Sequence, residues 1–212
     1  YAINTFGPQN ILNACLKLKL KPKKIILVSS SLTYGNQRQE SLGENCTSNP
    51  ENHYGCSKWA MEQIAKNYQE TLSIIITRPF NYTGIGQDNK FLIPKVVAHF
   101  KQKETVISLG NIDVWRDFSD VRWVVQAYSK LLATPNQGIN IVNLCSGKLT
   151  SIREIIELLE QITEHSLMVE TDSSLVRSSD IKRQCGSHQK IFDITSNLPQ
   201  PVNFKETLKW ML

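Results

Sequence analysis

The 212-residue sequence has no Cys-x-x-Cys pair, and its five cysteines (Cys15, Cys46, Cys56, Cys145, Cys185) are odd in number and scattered. A disulfide framework and a thiolate metal site are therefore not expected, and the cysteines read as reduced thiols of a cytoplasmic protein. The four histidines show no metal-ligand spacing, so no metal is expected. No apolar run approaches the roughly 20 residues that span a bilayer. A leader with basic, apolar and small-residue parts is also lacking, which argues against secretion. The formal charge is only +5. Much of it lies in Lys17, Lys19, Lys21, Lys23 and Lys24 near a predicted helix end, where lysines suit the helix dipole. Basic residues are not interleaved with aromatics, so nucleic acid is not an expected partner. Finally, no Gly-x-Gly-x-x-Gly follows a strand. Gly84-Ile85-Gly86 lacks both the third glycine and the βαβ setting.

What the chain does have is 41% apolar residues, enough for one core and a second smaller one. Residues 2–20 show helical spacing through Ile3, Ile11, Leu12, Cys15 and Leu16, stopped by Pro22. Ile25-Ile26-Leu27-Val28 followed by Ser29-Ser30-Ser31 reads as a buried parallel strand with hydroxyls at its carboxyl end, which is where open α/β sheets bind ligands. Residues 36–52 form a polar loop. In Tyr54-Gly55-Cys56-Ser57-Lys58 a phenol and an ammonium lie one helical turn apart. An ammonium beside a phenol favours the phenolate, so the pair suits proton exchange with a carbinol or carbonyl oxygen, and Lys58 is expected to lower the Tyr54 pKa. Leu72 to Thr77 is the next buried strand. Asp120 is expected to cap a helix over 121–133, and Ser151 with Glu154 to form a capping box.

Four segments taken together resemble a known family. Ser29-Ser30-Ser31-Leu32-Thr33-Tyr34-Gly35, then Tyr54-x-x-x-Lys58, then Arg78-Pro79-Phe80-Asn81, then Gly110-Asn111 with Arg116-Asp117-Phe118-Ser119-Asp120 are similar to the extended short-chain dehydrogenase/reductases that act on nucleotide sugars. The last block is closest to the GDP-mannose 4,6-dehydratases and GDP-4-keto-6-deoxymannose reductases. The resemblance implies an α/β fold: the C-terminal part of a Rossmann-like parallel sheet over 1–80 and a small, mainly substrate-binding α/β domain over 81–212. In the family, about the first hundred residues carry the dinucleotide fingerprint, so this sequence is expected to correspond to the C-terminal two-thirds of such an enzyme.

The same resemblance assigns roles. Ser30, Tyr54 and Lys58 are the expected catalytic residues, with Asn4 a candidate fourth member. Ser29, Tyr54, Lys58, Pro79 and Phe80 are expected to meet NADP or NAD. Asn81, Lys95, Gly110, Asn111, Arg116 and Arg177 are expected to hold a GDP-sugar. A 4,6-dehydratase of the family uses a glutamate at the position of Leu32. Leucine cannot carry a proton, so reduction of a GDP-4-keto-6-deoxy-hexose is expected over dehydration, with the dehydratase, a 4-epimerase and a catalytically silent binding domain as alternatives. Helices including the Tyr-Lys one often build dimers in the family, so a homodimer is expected, and no membrane partner.

Overall fold

A computed structural model describes residues 1–135, 139–175 and 181–212. The chain opens with a π-helical turn, Ala2–Phe6, that runs into α1, Gly7–Lys17. The periodicity predicted one helix over 2–20, and Pro8 explains the difference. It has no N–H to donate and its ring crowds the carbonyl four residues back, so the first turn widens and Gly7 N–H bonds Ala2 O. The helix ends as Lys19 takes a positive φ of 53°.

Strand β1, Ile25–Val28, leads to helix α2, His53–Ala65, and strand β2, Ile74–Pro79. After β3, Asn81–Thr83, come α3, Leu92–Lys101, β4, Val106–Leu109, and β5, Trp115–Asp120. Helix α4, Val121–Ala133, precedes β6, Ile139–Leu144, and β7, Leu149–Ser151. The remainder is α5, Ile152–Thr163, β8, Met168–Thr171, β9, Arg183–Gln184, α6, Gln189–Ile194, and α7, Phe204–Met211.

Three parallel strands form the first sheet, in the order β1-β2-β6. Strand β2 is its centre and is buried throughout. Its side chains alternate as the period of a strand demands. Ile74 and Ile76 face Leu12, Met61 and Ala65 of α1 and α2, whereas Ile75 faces Trp123, Val124 and Leu131 of α4. Each such isoleucine contributes about 1.5–3 kcal/mol by leaving water. The result is a three-layer α/β sandwich. Strand β1 was expected to be buried; it borders this sheet, and Val28 is 43% exposed. Strand β6 comes from far beyond residue 80 yet pairs with β2.

A second core packs β4, α3, α5 and α7 through Val96, Phe100, Ile107, Ile155, Leu159 and Leu208. Strand β5 pairs with β3, β7 and β9 and runs between this core and the first sheet's carboxyl end. The caps act as expected. Asp120 accepts from Arg122 N–H at 2.7 Å, and Ser151 and Glu154 form the reciprocal capping box at α5. Among the described residues no helix is long and apolar enough to cross a membrane, and no cluster of His, Cys, Asp or Glu could hold a metal ion.

Candidate active site

The site begins where β1 runs out. Ser30 is extended (φ −161°, ψ 151°) and caps a short 3-10 turn, Ser31–Thr33, by accepting from Leu32 N–H at 3.2 Å. Opposite it, Asn52 caps α2 by accepting from Gly55 N–H at 2.8 Å, so Tyr54 sits in the first turn of that helix. Gly55 is needed there: a Cβ would lie 2.6 Å from the carbonyl oxygen of Leu32. The 3-10 turn and the helix thus touch backbone to backbone, and Ser30 and Tyr54 share one cavity wall.

One turn along α2, Lys58 Nζ donates to the carbonyl of Val28 at 2.8 Å and lies 5.8 Å from the Tyr54 ring centroid. Burial lowers the Lys58 pKa. The expectation that Lys58 would pull the Tyr54 pKa down is not met in this arrangement. Burial raises the phenol above its ordinary value of 10, against the opposing effect of the Ser30 hydroxyl, and nearby Tyr82 raises it further. The Tyr54 phenol therefore keeps its proton at neutral pH. Asn4 donates to Ser57 Oγ at 3.2 Å, which ties the π-helical turn to α2 beside Lys58.

Two adjoining cavities account for most of the other expected residues. The first, about 530 Å³, is lined by Ser30, Tyr54, Pro79, Phe80, Asn81 and Arg116. The second, about 460 Å³, shares Asn81 and Arg116 and adds Lys95, Gly110 and Asn111. Parallel pairing of β3 with β5 is what sets Asn81 beside this region, its Nδ2 donating to the carbonyl of Asp117 at 3.2 Å. Arg116 Nη1 donates to the carbonyl of Trp115 at 2.9 Å. Lys95 Nζ donates to the carbonyl of Ser108 at 2.7 Å, and a Cβ on Gly110 would lie 2.8 Å from the carbonyl oxygen of Leu175. Asn111 is exposed and accepts from Asp113 N–H at 2.9 Å. Ser29 is 1% exposed and its hydroxyl donates to Glu62 at 2.5 Å, so that side chain faces away from both cavities. Arg177 lies outside the described residues.

Some residues of the site were not anticipated. Gln184 from β9 is buried, reaches the first cavity and bonds Ser31 through both ends of its amide, at 3.2 and 3.3 Å. Leu32, Asn52 and Ile181 complete that wall, while Tyr82, Gln87 and Phe91 line the second cavity. Asp117 had been noted only as part of a motif. It is fully buried and accepts from Ser146 N–H and Oγ–H, both at 2.7 Å, from Gly147 N–H at 2.9 Å and from Gly186 N–H at 3.3 Å. Burial nonetheless holds its pKa above the usual carboxylate range. This side chain clasps the loop after β6 and the loop after β9 to β5. A lone glutamine in a two-residue strand carries no sequence signal.

A Rossmann-like sheet ending in a hydroxyl, phenol and ammonium, next to a cavity walled by arginine and asparagine, defines the nucleotide-sugar branch of the extended short-chain dehydrogenase/reductases. The sequence profile of GDP-mannose 4,6 dehydratase matches residues 1–211, and the chain belongs to that family. It is 33% identical to the GDP-6-deoxy-D-talose 4-dehydrogenase of Aggregatibacter actinomycetemcomitans, the match covering 93% of this chain and 67% of that protein. It is 34% identical to the GDP-6-deoxy-D-mannose reductase of Pseudomonas aeruginosa over 99% of this chain and 71% of that protein. The crystal structure of RMD from Pseudomonas aeruginosa complexed with NADPH superposes with a TM-score of 0.87 at 32% identity, covering 99% of this chain and 70% of that one.

Proposed function

We propose that this chain carries the acid/base and sugar-binding parts of an NAD(P)H-dependent reductase acting on the 4-keto group of a GDP-4-keto-6-deoxy-hexose. The observation that carries this reading is Ser30 and Tyr54 together in the wall of a cavity that adjoins a second one lined by Lys95, Asn111 and Arg116. The relatives' names supply the substrate class.

The residues present fit a nicotinamide cofactor. Lys58 Nζ, Tyr54 and the Pro79–Phe80 backbone converge at the carboxyl end of parallel strands, where such ligands sit. When bound, that cofactor supplies the hydride that reaches the carbonyl carbon. The chain's own residues handle the oxygen. Ser30 donates a hydrogen bond to it and Tyr54 delivers the proton, its raised pKa keeping that proton in place through neutral pH. Lys58, fixed on Val28, presents its remaining N–H groups to the cofactor ribose. Ser29 steadies the strand end through Glu62. Asn81, Arg116 and Lys95 offer donors to a diphosphate, and a guanidinium can grip two of its oxygens at once.

In this reading the sheet β1-β2-β6 with its helices is the cofactor side, and the core of α3, α5 and α7 is the substrate side. A cytoplasmic homodimer joined through α1 and α2 belongs to the same reading, supported by the exposed Ile11 and Trp59 on those helices. Dehydration is disfavoured by a specific feature. It requires a group that removes the C5 proton, and the described side chains of the first cavity include no carboxylate and no imidazole.

The test is NADPH oxidation, followed at 340 nm with GDP-4-keto-6-deoxy-D-mannose, using both the 212-residue chain and the complete product of its gene. Stoichiometric NADPH consumption by the complete product supports the reductase. Conversion of a GDP-hexose to a 4-keto product without net NADPH consumption would replace it with the dehydratase. Calorimetric titration that finds no GDP-sugar binding in either protein would leave a catalytically silent domain.

A further inference from the structure

We propose that Gln184 is a positioning residue that ties the turn carrying Ser30 to the strand carrying Arg116, so that the group meeting the sugar carbonyl and the group meeting the diphosphate belong to one rigid piece; this rests on the reductase reading above. Gln184 is 3% exposed. Both ends of its amide go to one partner, Oε1 accepting from Ser31 Oγ–H at 3.3 Å and Nε2 donating to the Ser31 carbonyl at 3.2 Å. Ser31 is the neighbour of Ser30, yet 153 residues separate it from Gln184.

Strand pairing decides where this amide stands. Strand β9 runs parallel to β5 with Gln184 opposite Arg116. Side chains alternate along a strand, so aligned residues share a face. Arg116 and Gln184 accordingly line the same cavity, while the next pair along, Asp117 and Cys185, meets on the opposite face with Oδ2 and Sγ 3.7 Å apart. The segment after Gln184 is anchored too. Leu42 N–H donates to the Cys185 carbonyl and Ser187 N–H to the Leu42 carbonyl, both at 2.9 Å, and Gly186 N–H donates to Asp117 at 3.3 Å. Gln184 therefore projects from a fixed base. At its far end, the Ser31 carbonyl also accepts from Tyr34 N–H at 3.0 Å, and the Ser30 carbonyl accepts from Thr33 Oγ–H at 2.8 Å. These short-range bonds close the turn into a unit, so fixing Ser31 fixes the Ser30 hydroxyl. Its oxygen accepts from Leu32 N–H at 3.2 Å, which leaves the hydroxyl proton for the substrate oxygen. An error of about 1 Å at a reacting centre can cost on the order of 10²-fold in rate.

Gln184→Met keeps the length of the side chain and removes both bonds to Ser31. In the complete gene product, NADPH oxidation with GDP-4-keto-6-deoxy-D-mannose should then show kcat lower by at least about tenfold, with KM and the calorimetric affinity for GDP changed by less than about twofold. Ser31→Ala cuts the Oγ bond from the other side and should lose part of the same rate, the double variant being no slower than Gln184→Met alone. In a Ser30→Ala background, Gln184→Met should cost less than about twofold more, because the group it positions is gone; a merely structural role would slow both backgrounds alike. If Gln184→Met does not fold, Ser31→Ala compared in the same two backgrounds decides in the same way. A Gln184→Met enzyme that keeps its kcat, or an equal loss with and without Ser30, overturns the proposal and leaves the reductase reading intact. An unaltered protein that consumes no NADPH overturns the two together.

Discussion

Arg78 grips Glu62 with two parallel hydrogen bonds, Nε to Oε1 at 2.9 Å and Nη2 to Oε2 at 2.6 Å, and both side chains are shut off from water. The pair ties β2 to α2, the helix that carries Tyr54 and Lys58. Ser29 adds a third bond to Glu62, and the Arg78 guanidinium lies 4.6 Å from the Tyr34 ring centroid. Removing one partner strands the other as a buried charge. Glu62→Ala is expected to destabilise the fold by about 3–5 kcal/mol in urea unfolding. A loss below about 1 kcal/mol would mean that water or another group rescues Arg78.

Tyr54→Phe removes the proton donor and little else. Reductase turnover is expected to fall by about 10²- to 10⁴-fold with circular dichroism and melting temperature unchanged. Because the phenol pKa is raised above 10, the reductive rate of the unaltered enzyme should stay level from neutral pH upward and decline only above pH 10, as the proton is lost. A rate that already declines near pH 8 would assign the proton to another group.

Gly55→Ala tests the contact between the 3-10 turn and α2. The added methyl would sit 2.6 Å from the Leu32 oxygen and 3.0 Å from Pro50 Cβ, so the turn must move away from the helix. That separates Ser30 from Tyr54. We expect a loss of at least about tenfold in kcat, since small misplacements at a reacting centre are costly, together with about 1–3 kcal/mol of stability. Full activity would show that the pair tolerates displacement.

Tyr34 and Tyr128 make alkaline unfolding predictable. Burial pushes each phenol from 10 up to about 12. The folded state thus holds these protons more tightly than the unfolded chain does. Their stabilisation is complete below pH 10 and is lost as pH rises from 10 to 12, on the order of 2 kcal/mol for each. Unfolding midpoints in urea should drop over that window, in step with the tyrosinate absorbance at 295 nm. The mechanism fails if Tyr34→Phe leaves the slope unchanged.

The sequence announced what depends on near neighbours. The caps at Asp120 and Ser151 act over two or three residues, and the Tyr54–Lys58 spacing is one helical turn, so a linear reading finds them. The resemblance added Ser30, Asn81 and Arg116, and these do meet in one cavity wall. The environment of Tyr54 could not be read in this way. Spacing suggested a phenol governed by Lys58, yet the ammonium's position is set by the Val28 carbonyl on another element, and burial decides the direction of the pKa. The surroundings of Ser29 were equally out of reach. Its hydroxyl is claimed by Glu62, 33 residues away.

By itself, then, the sequence determined the apolar strand at the centre, the helix starts at Asp120 and Ser151, and the one-turn spacing of Tyr54 and Lys58, because each rests on local periodicity or on the intrinsic nature of a side chain. Tertiary structure alone decided which polar groups share a wall. Gln184 joins Ser31 across 153 residues, and Asp117 draws the loops at Ser146 and Gly186 onto β5. Leu32 comes to rest beside Ser30 and Tyr54 because Gly55 leaves room for its backbone. Such contacts arise from strand pairing and close packing between distant segments, for which no short stretch of sequence carries a signature.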